Sequence, residues 1–461
     1  MTEQVFAAVD IGASSGRVMA GIVSDTAKHG IELVEVHRFD NAPIELDGHL
    51  HWDVDRLWTQ TLTGLRRLVE RWPEVISIGI DTWAVDYGLL DADGALIGAP
   101  YSYRDSRTDE VIAAVHAAIP PQRLYEITGL QFLPFNTVYQ LAAERRGPRW
   151  DRAACLLLLP DLLAERLTGQ RVAEATNAST TGLLDATTGQ WSAEVLAAIG
   201  VEESLLAPVI EPGTPIATVR PGLGLPAVPV VAVGSHDTAS AVVGTPARTK
   251  NFAYVSSGTW SLVGQELAAP VLSEASRAAN FTNEGGVDRT TRYLRNVGGL
   301  WLLEQCRQEW GQQWGGAATE IGELIEAAAA LGPNGPTIDV DDPAFIAPGD
   351  MVARITAAVE ASGRRAPADP AGITRCILDS LAQCYARTLA QAVELSGQPV
   401  EVVHIVGGGS QNALLCELTA RATGLLVQAG PVEATALGNV AVQARTAGLV
   451  SGDLMDLRSL F

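Results

Sequence analysis

The feature that most constrains this chain is a unit that occurs twice. Residues 7–18 read as a buried apolar strand closing on Asp10, a small-residue turn through Gly12, Ala13, Ser14, Ser15 and Gly16, and a second strand opening at Arg17. Residues 252–263 repeat the pattern: an apolar strand, a Ser/Gly/Thr turn, another apolar strand. Small side chains let a ligand approach the backbone, and successive N–H groups in such a turn form an anion-binding concavity. Gly12 and Gly16 are expected to supply positive φ where the turn needs it. Arg17 adds a planar cation. A carboxylate such as Asp10 beside a phosphate cradle suits Mg2+ held through water. Taken singly, the unit is equally a plain β-hairpin. Its recurrence at the head of each half points to two like domains, residues 1–244 and 245–461, with the polar stretch 245–251 as boundary.

Composition narrows what those turns can hold. A chain of 461 residues exceeds one ordinary core. The formal net charge of -21 disfavours nucleic acid or an anionic membrane as the main partner. Lysine occurs only at Lys28 and Lys250, in neither a G-x-x-x-x-G-K-[ST] loop nor a V-A-I-K strand. Phosphate handling must therefore use backbone N–H groups, Arg and metal. The five cysteines are scattered with no C-x-x-C pair, the pattern of reduced thiols in a cytoplasmic protein. The opening Met-Thr-Glu-Gln lacks a basic leader region, and no apolar run has the length of a membrane span.

Along the chain, residues 6–10, 17–23 and 31–38 read as an antiparallel meander. Asp53 caps a helix whose apolar residues recur at three- and four-residue steps up to Trp72, and Pro73 ends it. Residues 75–80 form a continuous apolar strand closing on Asp81. Thr82, Trp83, Asp86 and Tyr87 then supply a hydroxyl, a carboxylate and two aromatic rings, which suit a polar small-molecule site or a hairpin with one core Trp. Arg104, Asp105 and Arg107 either line a cleft or form a surface ion-pair set, and a helix is expected from Asp109 to Ile119. A hydroxyl-rich loop is expected at 177–185. Strand 230–233 runs through Gly234, Ser235, His236, Asp237 and Thr238 into a helix at 239–243. Ser235 or Thr238 can cap that helix, which leaves Asp237 free, and ionised by the helix terminus, to act as a general base. Residues 373–395 read as one long helix, and strand 400–406 leads into a glycine turn at 407–412 and a further helix, a nucleotide-site geometry. The dinucleotide fingerprint is incomplete, because Asn412 stands where a third glycine is needed.

In this order the stretches resemble the FGGY family of carbohydrate kinases over nearly the whole chain. The resemblance rests on residues 10–17, 77–87, 103–108, 131–141, 235–241, 256–262, 296–302, 404–412 and 430–439. It implies an α/β fold of two ribonuclease-H-like (actin/hexokinase-type) domains closing on a cleft, and an ATP-dependent ketose kinase acting at O1 with Asp237 as proton acceptor. It implies ATP contacts from Ala13, Ser14, Ser15, Gly16, Arg17, Thr259, Glu304 and Gly408, with Mg2+ near Asp10. Sugar contacts are implied at Ala84, His236, Asp237, Thr238 and Asn296, with Trp83 as an apolar wall. Residues 82–83 and 131–136 point to L-rhamnulose. L-fuculose, L-ribulose, xylulose or a polyol are the alternatives, and a non-catalytic nucleotide-driven clamp is a reading from another class. Two positions depart from the family pattern, Ala84 standing for Gly and Glu304 for Gln. Ala84 narrows the sugar pocket by one methyl group, and Glu304 brings an anion toward ATP unless Mg2+ or an Arg offsets it. The expected protein is a cytoplasmic monomer or homodimer with small-molecule partners.

Overall fold

A computed structural model describes residues 3–24, 30–314, 320–333, 335–347 and 349–461. One six-stranded sheet has the order 215–218, 229–231, 78–82, 4–11, 15–23, 31–40. A second has the order 282–285, 291–298, 260–267, 252–257, 402–406, 426–429. The repeated unit is the centre of each. Strand 4–11 pairs antiparallel with 15–23 and parallel with 78–82. Strand 252–257 pairs antiparallel with 260–267 and parallel with 402–406. The duplication read from the sequence is thus a duplication of topology.

Strand 4–11 is apolar from Val5 to Val9 because both its faces are covered. Val5, Ala7 and Val9 pack in one cluster with Leu57, Leu65 and Leu68 of helix Val54–Arg71. Phe6 and Ala8 point the other way, as strand alternation requires, into a cluster with Val440 and Ala441 of helix Ala434–Thr446. The second sheet packs Ala253, Val255, Val403 and Ile405 against Ile377, Leu381 and Tyr385 of helix Pro370–Ser396.

Helix 434–446 changes the domain arithmetic. The compact units are Met1–Arg248 with Glu266–Tyr293 and Glu433–Phe461, and Thr249–Gln265 with Leu294–Val432. The chain leaves unit 1 close to the expected boundary, but it returns twice. It returns at the end because strand 4–11 needs a cover for its second face, and helix 434–446 supplies it.

Local details also differ from expectation. Asp105 caps a short 3-10 turn at Ser106–Thr108, so the next helix starts only at Ile112. Part of the expected hydroxyl-rich loop is a helical turn, Ala175–Ala178, capped by Glu174. All five cysteines are free thiols and four are buried. Among the described residues no helix is long and apolar enough to cross a membrane.

Candidate active site

In unit 1 the first turn is built as a tight connection. The Gly12 N–H donates to the Ser15 carbonyl at 2.8 Å, and Asn41 braces the turn from outside, its side chain donating to the Gly12 carbonyl and its N–H to that of Ser14. Ser14 is exposed, with Ala13 and Ser15 half-buried beside it. Gly16 is needed for a reason other than the expected one. Neither Gly12 nor Gly16 has positive φ. A Cβ on Gly16 would lie 2.3 Å from the Phe39 ring, so the demand is for space.

Strand register gathers the charges. Asp10 lies opposite Arg17 on one neighbouring strand and Asp81 on the other. Arg17 grips Asp10 through Nε at 3.0 Å and Nη2 at 2.7 Å, and its Nη2 is also 2.8 Å from Glu433. Arg17 is therefore a clamp on two carboxylates. Burial works against its charge, but Asp10 and Glu433 outweigh burial and hold the guanidinium above its ordinary pKa. Burial raises the Asp10 carboxyl in spite of Arg17. It raises Asp81 well above the usual range, with Asp10 as the next cause. Asn439 donates to Asp81 Oδ2 at 2.6 Å, while Oδ1 is buried without a hydrogen-bond partner.

The loop before helix Asp237–Val243 is aligned on the same strand end. The Thr82 N–H donates to the Ser235 carbonyl at 2.9 Å, and Thr82 bridges His236. Glu174 fixes the loop from beneath, accepting from the N–H and hydroxyl of Ser235 and from those of Thr176. His236 is the N-cap residue and makes no side-chain cap, so neither Ser235 nor Thr238 performs the expected capping. Asp237 is the first helical residue, with 30% of its side chain exposed. Its Oδ1 accepts from Thr238 Oγ1 at 3.1 Å. Asp237 in turn raises the Asp10 and Asp81 carboxyls, so the three charges share one neighbourhood.

The stretch after Asp81 is more structural than its composition suggested. The Trp83 ring is 6% exposed and packs on Trp52, with centroids 4.3 Å apart. It is a core residue, with little surface left for the expected apolar wall. Asp86 accepts from Trp52 Nε1, Trp83 Nε1, the Tyr103 N–H and Gln140 Nε2, which fills its oxygens. Half-buried Ala84 precedes Val85, which has φ of 66°. A β-branched residue in that region is strained, by about 1–3 kcal/mol, and persists only where its surroundings over-determine it. Here Thr137 Oγ1 and Gln140 Nε2 both donate to the Val85 carbonyl. No sequence signal marks such a position.

In unit 2 the second turn, between strands Phe252–Ser257 and Trp260–Leu267, leaves Thr259 and Trp260 exposed. The Leu300 and Trp301 N–H groups donate to the Gly258 and Thr259 carbonyls, which sets helix Trp301–Trp314 against the turn. A Cβ on Gly299 would lie 2.5 Å from the Thr259 carbonyl. Asn296 lies just upstream, on strand Thr291–Gly298. Glu304 carries its own offset, since Arg307 Nη1 is 2.7 Å from its carboxylate.

The glycine turn after strand Val402–Val406 separates two roles. Gly407 has φ of 78°, and a Cβ on Gly409 would lie 2.0 Å from Ser257 Oγ, whereas a Cβ on Gly408 meets nothing within 4 Å. Gly408→Ala is expected to shift the thermal midpoint by no more than about 1–2 °C. If position 408 faces adenosine, it also raises the KM for ATP at near-constant kcat. Gly409→Ala is expected to lower the midpoint instead. Thermal melts and ATP titrations of both variants check the contrast.

Comparison with known proteins divides the chain into its two sequence halves. Residues 5–244 match the N-terminal domain of the FGGY family of carbohydrate kinases, and residues 253–447 match its C-terminal domain. A curated rhamnulokinase of Bacteroides thetaiotaomicron is 43% identical over 464 residues, 99% of this chain and 94% of that protein. One from Pectobacterium carotovorum is 45% identical, covering 98% and 90%. Among solved structures, a gluconate kinase from Lactobacillus acidophilus superposes with a TM-score of 0.80 at 14% identity, over 99% of this chain and 92% of that one, a likeness of fold.

Proposed function

The chain belongs to the FGGY family of carbohydrate kinases, and from that premise we propose that it transfers the γ-phosphoryl group of ATP to O1 of L-rhamnulose. The products are L-rhamnulose 1-phosphate and ADP. The observation that carries the chemistry is the placing of Asp237: a part-exposed carboxylate at a strand-to-helix junction, free of any capping duty. The sugar is supported by relatives of 43% and 45% identity over nearly the full length, each named rhamnulokinase.

The proton of the sugar O1 hydroxyl passes to Asp237 as the O1–P bond forms and the bond from γ-phosphorus to the β–γ bridging oxygen breaks, releasing ADP. Phosphoryl transfer of this kind has a loose transition state, so positioning and charge neutralisation do most of the work. Ala13, Ser14, Ser15 and Gly16 offer backbone N–H groups to phosphate, and Arg17 keeps Asp10 and Glu433 in place beside them. Thr259, Glu304 and Gly408 are the proposed ATP contacts of unit 2. Ala84, His236, Thr238 and Asn296 are the proposed sugar contacts.

A divalent cation fits the donors present. Mg2+ takes one or two carboxylates together with phosphate oxygens and water, and needs no all-protein cage. Among the described residues no group of three His, Cys, Asp or Glu is arranged as one. Asp10 and the unpartnered Asp81 Oδ1 supply hard oxygen donors. They would hold Mg2+ through water, and when bound it would offset phosphate charge.

A coupled ADP-release assay with L-rhamnulose, L-fuculose, L-ribulose and D-xylulose at equal concentration tests the sugar. The highest kcat/KM is expected for L-rhamnulose. A higher value for another ketose would reassign the substrate within the family.

A further inference from the structure

A buried chain of charges leads into Asp237 from behind. Arg292 is fully buried and is held by the Gly285 carbonyl at 2.9 Å and the Thr176 carbonyl at 3.4 Å. Its Nη1 lies 2.9 Å from Oε2 of Glu284, itself 7% exposed. The same Glu284 oxygen lies 3.3 Å from His236 Nδ1, and His236 Nε2 lies 3.4 Å from Asp237 Oδ1. The order is cation, anion, imidazole, anion. All four groups belong to unit 1.

An ion pair kept only for structure would end at Arg292 and Glu284, since a buried charge needs one good partner. Here the carboxylate is shared, and the second partner points from the core to the part-exposed carboxylate. Burial works to raise the Glu284 carboxyl, but Arg292 and then His236 outweigh it and hold it below the usual range. The contact at Nδ1 is one of proximity: that nitrogen and Glu284 Oε2 are 3.3 Å apart, both are buried, and neither has another hydrogen-bond partner. The His236 N–H is held as well, donating to Thr176 Oγ1 at 3.3 Å. The residue is therefore fixed at its backbone, with its ring between two carboxylates. The other charges acting near its far edge are the carboxylates of Asp10 and Asp81, which Asp237 couples to electrostatically.

We propose that Glu284, anchored by Arg292, is a positioning residue for the proton-accepting step: it keeps the His236 ring turned with Nδ1 toward Glu284 and its Nε2 edge beside Asp237, which sets the place of the Asp237 carboxylate for the sugar hydroxyl. This rests on the reading of Asp237 as proton acceptor. It adds two residues to the machinery that touch neither sugar nor nucleotide.

The test has two readouts on the full chain. The first is the 1H–15N spectrum of the imidazoles without substrates, with the His236 signals assigned by their loss in His236→Gln. Glu284→Gln is expected to change the His236 Nδ1 shift relative to the wild type. The second is kinetics. Glu284→Gln is expected to lower kcat by about 10²-fold, the cost of an ångström-scale misplacement, with the KM for ATP within about two-fold. Glu284→Asp, which keeps the charge, is expected to recover part of that loss, and it carries both readouts should the Gln variant not fold. An unchanged His236 spectrum and an unchanged kcat in Glu284→Gln would overturn the positioning role and leave the base assignment standing. Full activity in Asp237→Asn would overturn the base assignment whatever the ring does.

Discussion

Replacing Asp237 by Asn is expected to lower kcat by about 10²–10⁴ while the protein folds as before. Asn keeps the size and shape of the side chain and can still accept from Thr238 Oγ1, so the geometry of the helix start is preserved. What it removes is the ability to take a proton from the sugar hydroxyl. The effect on stability is expected to be small. The carboxylate caps nothing and is part-exposed, so the loss is a helix-terminus interaction of about 0.3–1 kcal/mol. That loss is opposed by relief of the buried Asp10 and Asp81, both of which Asp237 raises. The pairing of a large kinetic defect with an almost unmoved thermal midpoint is the signature to look for. A variant within a few-fold of wild type would remove Asp237 from the base role.

The largest stability effect is expected at Gly438. Helices Asp237–Val243 and Ala434–Thr446 cross so closely that a Cβ on Gly438 would lie 1.9 Å from the Ser240 carbonyl, and one on Gly244 would lie 2.0 Å from that of Ala434. Gly438→Ala must push one backbone off the other. The helix cannot shift freely, because Asn439 donates to Asp81, and Gln443 donates to the Ala7 carbonyl while accepting from Ser77 Oγ at 2.7 Å. The expected cost is about 3 kcal/mol or more, which corresponds to a fall in Tm of roughly 6–12 °C. Gly322→Ala is the control. It stands exposed near the start of helix Ile321–Ala329, and an added Cβ there meets nothing within 4 Å. That change is expected to leave stability unaltered or raise it slightly. Equal midpoints for the two variants would contradict the close crossing.

What the sequence made legible was the part governed by local pattern. The duplicated strand–turn–strand units, the helix capped by Asp53, the buried strand ending at Asp81 and the strand–helix junction at Asp237 all follow from apolar periodicity and short-range spacing. What it hid depends on partners far along the chain. Asp81 meets Asn439 across 358 residues, which is why helix 434–446 belongs to unit 1 although the sequence places it at the end of the second half. Arg17 has Glu433 beside it, a partner that no local pattern around residue 17 announces. The donors to Asp86 come from Trp52, Trp83, Tyr103 and Gln140, which its own stretch of sequence names only in part. Val85 carries its information in φ, which residue type does not encode. Glu284 and Arg292 stand in a stretch with no motif of its own, and only the fold brings them behind His236.

The central claim is a phosphoryl transfer to one hydroxyl of one sugar, and 31P NMR of the reaction of the protein with ATP, Mg2+ and L-rhamnulose reads it directly. The account predicts ADP together with a single phosphomonoester whose phosphorus couples to the two protons on C1, and almost no inorganic phosphate when the sugar is left out. Phosphate coupled to any other position, or ADP and inorganic phosphate formed at the same rate without sugar, would contradict it.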